Sequence, residues 1–331
     1  MDSTKLEDER VLVFLLTLQS YPGIGSKTLS SLMEKNRDLI LSSGRLDAAF
    51  AERLGNRRVS LALERHSGKW DVLENRSIAL LGRAEDAGIR ALYPYMEDYP
   101  RRLLAWRRRP PILYAMGNIA ALNWGKAVAM VGTRNPTDFG RRMGRKLSRV
   151  LAEDGYAVVS GLAAGCDAAA HEGALDAGAP TVAVLPTPLD SPVYPKENQG
   201  LSERILENGG ALISEYAPGT QLSGRQLAGN LVARDEWQPA LADGIVAFET
   251  AVNGGARHAL RHAEDAGVPV GVFDYRSRSE VDFAHDQRFS GNIDYLANKR
   301  ASSIYGLETI RLFEGRMREH RARISYYVVQ G

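Results

Sequence analysis

Six short apolar segments, each followed by a turn and a helix-like stretch, recur through the second half of the chain. This rhythm constrains the fold more than any single motif. The segments are AVAMV (127–131), YAVVS (156–160), TVAVL (181–185), ALISE (211–215), GIVAF (244–248) and VPVGVF (268–273). The helix candidates between them close on glycine, at Gly155, Gly178, Gly209 with Gly210, and Gly267. Glycine just past a helix takes the left-handed backbone conformation that ends it. Short apolar strands alternating with such helices predict a mostly parallel sheet covered on both faces, an α/β Rossmann-like domain over residues 126–306.

The chain before this domain reads differently. RVLVFLLTLQS, SKTLSSLMEKN and LDAAFAERLG carry apolar residues at helical spacing, and no alternating strand pattern interrupts residues 10–90. A helical region over 1–88 is therefore expected. Residues 89–125 hold four prolines and a charge shift, which predicts an extended connector ending in a short strand at ILYAM. Residues 307–331 read as a basic helix with a short apolar tail.

Charge is local. The chain of 331 residues carries a net +2, yet residues 101–149 hold twelve Lys/Arg against one acid, Asp138. Residues 150–220 run the other way, with ten acids against Lys196 and Arg204. Such a block is the footprint of a polyanion partner, or equally a solvated helix face joined to a basic linker. No stretch approaches the roughly 18 apolar residues of a membrane span. The polar, acidic start MDSTKLEDER is unlike a secretory signal, so a cytoplasmic protein is expected. One cysteine, Cys166, excludes an internal disulfide and a cysteine zinc site, and no cofactor or metal motif is found.

Three segments carry candidate chemistry. In SYPGIGSKTLSSLME, Gly23 and Gly25 with Lys27 fit a helix-hairpin-helix turn whose backbone approaches a DNA phosphate; a plain helix–helix turn fits the same residues. In VGTRNPT, Gly132 allows a tight strand exit. The following NH groups of Thr133, Arg134 and Asn135 and the next helix start predict an anion site, with Arg134 placed for a bidentate grip. The segment is neither G-x-G-x-x-G nor a P-loop. In VVSGLAAGCDAAAHEGAL, Gly161 and Gly165 bracket a second turn, with Asp167 near a helix start as a capping carboxylate and His171 packed one turn on. Cys166 reads as a small buried hydrophobe. Lys196 sits in the loop after the third strand. Gly254 and Gly255 follow the fifth strand, and Arg257, His258, Arg261 and His262 follow them.

In order and spacing, GIRALYPYMEDYPRRLL, PPILYAMGN, AVAMVGTRNPTDFG, VVSGLAAGCDAAAHEGAL, TVAVLPTPLDSPVYPKEN, LISEYAPGT and SGNIDYLAN resemble the DNA-processing protein A family (DprA/Smf). The resemblance implies a helical N-terminal domain joined to an extended Rossmann fold that binds single-stranded DNA and hands it to a RecA-type recombinase, without enzymatic activity. It further implies a homodimer, and a crevice lined by Gly132, Thr133, Arg134, Ser160, Gly161, Gly165 and Asp167. Arg141, Arg142 and Arg145 would form its basic rim. The family run F-P-x-R-N-R-I-I-A-G-L-S is altered here: Asn230 aligns with its asparagine, but Gly229 and Leu231 replace the flanking arginines, and Arg225, Arg234 and Arg257 are candidates to compensate. The G-S-L-x-T-A segment has become Gly254-Gly255-Ala256-Arg257-His258-Ala259, and the short basic tail stands where many members carry a winged helix. The alternative is a nucleotide-sensing or phosphoribohydrolase-like Rossmann protein, with Glu249 and Arg257 as the nearest catalytic candidates.

Overall fold

The computed structural model describes residues 3–330, with side chains described for 4–325. Five helices come first: α1 (Ser3–Gln19), α2 (Ser26–Ser42), α3 (Ala48–Arg53), α4 (Arg57–Arg65) and α5 (Trp70–Asp86). Then follow β1 (Ile89–Leu92), α6 (Arg101–Leu104), β2 (Leu113–Gly117), β3 (Ala127–Val131), α7 (Asp138–Glu153), β4 (Ala157–Ser160), α8 (Cys166–Asp176) and β5 (Thr181–Val184). The chain continues through α9 (Gln199–Glu207), β6 (Ala211–Ser214), α10 (Gly224–Ala233), α11 (Trp237–Ala240), β7 (Ile245–Ala247) and α12 (Arg257–Ala266). It closes with β8 (Val270–Phe273), α13 (Ser290–Ala297), β9 (Ser302–Ile304) and α14 (Leu307–Gln330). No helix among the described residues is long and apolar enough to cross a membrane.

All nine strands join one sheet in the order β1-β2-β6-β5-β4-β3-β7-β8-β9. The pairs from β6 to β9 are parallel, while β1 and β2 add an antiparallel edge. The six expected strands are all present. Each expected helix-closing glycine at 155, 178, 209 and 267 has a positive φ, the region that costs an L side chain most. Three elements depart from expectation. β1 opens the stretch 89–125, where the only strand expected was the one at ILYAM, and its four residues follow α5 directly after Gly88. α6 puts one helical turn into the extended connector. β9, Ser-Ser-Ile, has too few apolar residues to register as a strand.

Alternate strand residues face opposite layers, as the pleat requires. Val128, Met130, Val158, Val246 and Phe248 pack with α7, α8 and α14 on one side. Ala129, Val131, Ile245 and Ala247 pack with α12 on the other, and Ala157, Val159, Val182 and Val184 pack there with α11. The N-terminal helices are not a separate bead. Phe14, Leu29, Phe50 and Trp70 share one apolar cluster with Ile89, Tyr114, Leu185 and Leu212, and Tyr93 donates a hydrogen bond to Asp8 at 2.6 Å. Nor does α14 trail loosely. Phe313 and Met317 are buried against the sheet, and a Cβ at Gly244 would lie 2.6 Å from Met317.

Asp243, fully buried at the amino end of β7, ties these layers together. Its Oδ1 accepts from Arg102 Nε at 2.9 Å. Its Oδ2 accepts from Arg321 Nη1 at 2.9 Å and from the Ala127 backbone N–H at 3.0 Å. Removing one partner of a buried ion pair leaves the other charge uncompensated and costs about 3–5 kcal/mol. Asp243→Ala is therefore expected to lower the urea midpoint by an amount equivalent to about that loss. A change below about 1 kcal/mol would show that the connector and α14 are held by other contacts.

Candidate nucleic-acid interface

Strand order reverses at β3: β4 to β6 lie on one side, β7 to β9 on the other. In open α/β sheets ligands bind outside the carboxyl ends of the strands at this switch point. A cavity of about 380 Å³ opens there, lined by Gly132, Thr133, Arg134, Asp167, Gly254 and Gly255 among others. Those six expected residues do converge. The remaining lining comes largely from the segment 231–238, including Arg234, Asp235 and Gln238.

Glycines set the approach of the turns. A Cβ on Gly132 would meet Cys166 Sγ at 2.4 Å, and one on Gly165, at φ +80°, would meet the Arg134 carbonyl oxygen at 2.4 Å. The Cys166 N–H closes the contact by donating to the Thr133 carbonyl at 3.1 Å. The expected backbone anion nest is not free, however. The Thr133 N–H donates to the Glu249 carbonyl at 2.7 Å, the Asn135 N–H to Thr133 Oγ1 at 3.2 Å and the Thr137 N–H to Glu249 Oε2 at 2.8 Å. Thr137 in turn caps α7, its Oγ1 accepting from the Gly140 N–H at 2.9 Å. Glu249 is fully buried, both carboxylate oxygens are engaged by Thr137, and burial pushes its pKa up. It holds the turn in place and offers no water-facing carboxylate for hydrolysis.

The cation of the crevice is instead Arg234, only 4% exposed. Its Nη2 lies 3.6 Å from Asp167 and its Nε 3.5 Å from Asp235. Neither Nε nor Nη1 has a hydrogen-bond partner. The guanidinium lies directly over Gly161, where a Cβ would fall 1.2 Å from Nη1. Only glycine leaves room for it. Asp167 does not cap α8; its Oδ2 accepts from the Ala163 N–H at 3.3 Å and faces Arg234. Ser160 lies beneath, donating to the Met130 carbonyl at 2.6 Å. His171 is buried, hydrogen-bonded to Thr181 at 2.7 Å and pushed down to about 3 by burial, so it stays neutral. Burial likewise raises the Cys166 thiol well above its ordinary pKa, which makes it an inert core residue.

The rest of the expected set disperses. Arg134, Arg141 and Arg142 are exposed; Arg142 stacks over the Phe139 ring at 5.9 Å. Arg145 is engaged by Asp176 at 2.5 Å and Glu172 at 3.2 Å. Lys196 is exposed and lies off the crevice wall. Asn230 donates to the Pro186 carbonyl at 3.0 Å and is likewise absent from the wall. Arg257 lines a separate cavity with Arg261 and Asp294. Gly23, at φ +88°, Gly25 and Lys27 form an exposed turn between α1 and α2. Of the three arginines expected to compensate for the altered run, Arg225, Arg234 and Arg257, Arg234 is the one on the wall of this cavity.

Fold and site together define an extended Rossmann-like protein with a cavity at the switch point of its sheet. Residues 90–312 match the profile of the family described as DNA recombination-mediator protein A. The chain belongs to that family. It is 36% identical over 197 residues to protein Smf of Synechocystis, covering 59% of this chain and 48% of the relative. With the DNA processing protein DprA of Bacillus subtilis it shares 26% over 200 residues, covering 59% of this chain and 65% of the relative. The chain thus spans about half to two thirds of the length of these curated relatives. DprA of Streptococcus pneumoniae has the same fold, with a TM-score of 0.71 at 23% identity, covering 92% of this chain and 97% of that one. DNA processing protein A of Helicobacter pylori, solved for its single-stranded DNA binding mode, superposes with a TM-score of 0.58 at 25% identity, covering 70% and 96%.

The electrostatics of the crevice give a pH signature. Asp235 is pushed up to about 6, chiefly by burial and further by Asp167, against the opposing pull of Arg234. A carboxyl whose pKa rises on folding stabilises the fold at low pH, and that contribution is lost as pH climbs through about 6. Asp235→Asn, which mimics the protonated acid, should therefore raise the melting temperature above the parent's at pH 8 and leave it unchanged near pH 4. An equal difference at both pH values would remove Asp235 as the titrating group.

Proposed function

We propose that the crevice holds the phosphodiester backbone of single-stranded DNA. The observation that carries this reading is Arg234, a buried guanidinium at the wall of the switch-point cavity whose Nε and Nη1 have no hydrogen-bond partner. Leaving charged donors unsatisfied inside a protein costs more than a hydrogen bond returns. A phosphate oxygen is the acceptor whose charge and geometry fit a guanidinium best. Arg134 at the lip adds a second cation, with Arg141 and Arg142 exposed on the helix that follows the same turn. Family membership supports a nucleic-acid ligand over a small nucleotide, and the Helicobacter relative binds a single strand. Phosphate contacts hold a strand without reading its sequence. In this reading the strand is handed on to a RecA-type recombinase, as befits a recombination mediator.

Titration into a labelled single strand of about 30 nucleotides, at two salt concentrations and with a duplex control, tests this. Arg134→Ala should weaken binding about tenfold for every base sequence and reduce the log–log salt slope by about 0.7, one single-strand phosphate contact. Gly161→Ala, which displaces the Arg234 guanidinium, should weaken it at least as much. Parent-like affinity in both variants would overturn the assignment.

A further inference from the structure

The run Trp106-Arg107-Arg108-Arg109 has no part in the crevice. The structure sends its members in different directions. Arg109 pairs with Glu34 of α2 at 3.3 Å. Arg108 and Trp106 both bind Glu236, with Nη2 to Oε2 at 2.8 Å and Nε1 to Oε1 at 2.8 Å. Arg107 is exposed and makes no hydrogen bond or ion pair among the described residues.

Arg107 opens onto a second cavity, of about 470 Å³, larger than the crevice. It lies near the amino ends of β7 and β8, the edge of the sheet opposite the switch point. Its walls come from the segment after α6, from α11, from the last turns of α12 and from α14. His320 of α14 is 5% exposed, and its Nδ1 has no hydrogen-bond partner. Arg323, one turn on, gives one N–H to the Gly267 carbonyl at 3.2 Å and is otherwise exposed. His262 lies half-buried on the α12 wall, and Asp265 is exposed beside it. Burial lowers the pKa of both histidines, so both imidazoles are neutral at pH 7.

This donor set has a defined chemistry. Two guanidiniums with N–H groups to spare match a phosphate. The carboxylate of Asp265 accepts from a sugar hydroxyl, and an indole held in place by Glu236 offers a wall for a flat base. The volume falls in the range of about 300–1,000 Å³ that small-molecule sites occupy. We propose that this cavity is a second ligand site, taking one nucleotide through its phosphate, either as a free nucleotide or as part of a bound strand. It stands independently of the crevice, whose residues it does not share.

The test titrates ATP, and separately a 20-nucleotide single strand, into the parent, an Arg107→Ala/Arg323→Ala double variant and Arg134→Ala. Both arginines of the double variant are exposed, so the fold survives their removal. ATP binding that falls at least tenfold in the double variant and is unchanged in Arg134→Ala supports the site with a free nucleotide as ligand. Absence of ATP binding, with strand affinity at least tenfold weaker in the double variant, supports it with the strand as ligand. ATP binding lost in Arg134→Ala but retained in the double variant overturns it. So does absence of ATP binding together with unchanged strand affinity in the double variant.

Discussion

The carboxylate of Asp243 sets the frame within which the rest of the molecule is arranged. It is buried at the point where the chain enters β7, and it receives hydrogen bonds from Arg102 before β2, Arg321 of α14 and the first N–H of β3. The same junction fixes register, since the Asp243 N–H donates to the Ala127 carbonyl at 2.8 Å and the Ala129 N–H to the Gly244 carbonyl at 2.9 Å. β3 and β7 are the two strands between which the order of the sheet reverses. Pinning their amino ends determines where their carboxyl ends open, five residues and roughly 16 Å further along. The crevice is thus located by a clamp at the opposite ends of its strands.

Arg234 at the carboxyl edge makes an instructive contrast with Asp243 at the amino edge. Both are buried charges, but both oxygens of Asp243 are hydrogen-bonded, whereas Arg234 meets its two carboxylates at 3.5 and 3.6 Å and keeps Nε and Nη1 without a hydrogen-bond partner. The carboxyls beside it are themselves pushed up by burial. A charge fully compensated inside the fold contributes to holding it together. Arg234 is the one left short of acceptors.

Much of this was legible in the sequence. The six strands of the parallel sheet and the glycines that close the intervening helices announce themselves because each is a local pattern. So are Gly132, Gly165, Gly254 and Gly255, which do reach the crevice or its turns. What stayed hidden depends on partners far along the chain. The basic block of residues 101–149 looks like a continuous positive surface, yet Arg102, Arg108, Arg109, Arg145 and Arg149 are each ion-paired, to Asp243, Glu236, Glu34, Asp176 and Glu153. Only Arg149 has its partner within helical reach, so linear charge counting could not separate spent cations from available ones. The short β1 and β9 were lost for another reason: three or four residues beside a helix carry no period to detect.

The turn glycines show how a correct residue can be read for the wrong reason. Gly132 and Gly165 suggest backbone amides bared for an anion, but the structure spends the Thr133 and Thr137 N–H groups on Glu249 and the Asn135 N–H on Thr133 Oγ1. The glycines serve instead to press one turn against the other, and Gly161 serves to leave space for a side chain from a different element. That side chain comes from the segment 234–240, which also forms part of the wall of the Arg107 cavity through Glu236, Pro239 and Ala240. One short stretch therefore presents Arg234, Asp235 and Gln238 to the crevice and Glu236 to the opposite side. Its two acids act on both at once: Asp235 is a titratable group beside the crevice arginine, and Glu236 is the carboxylate that fixes Trp106 and Arg108.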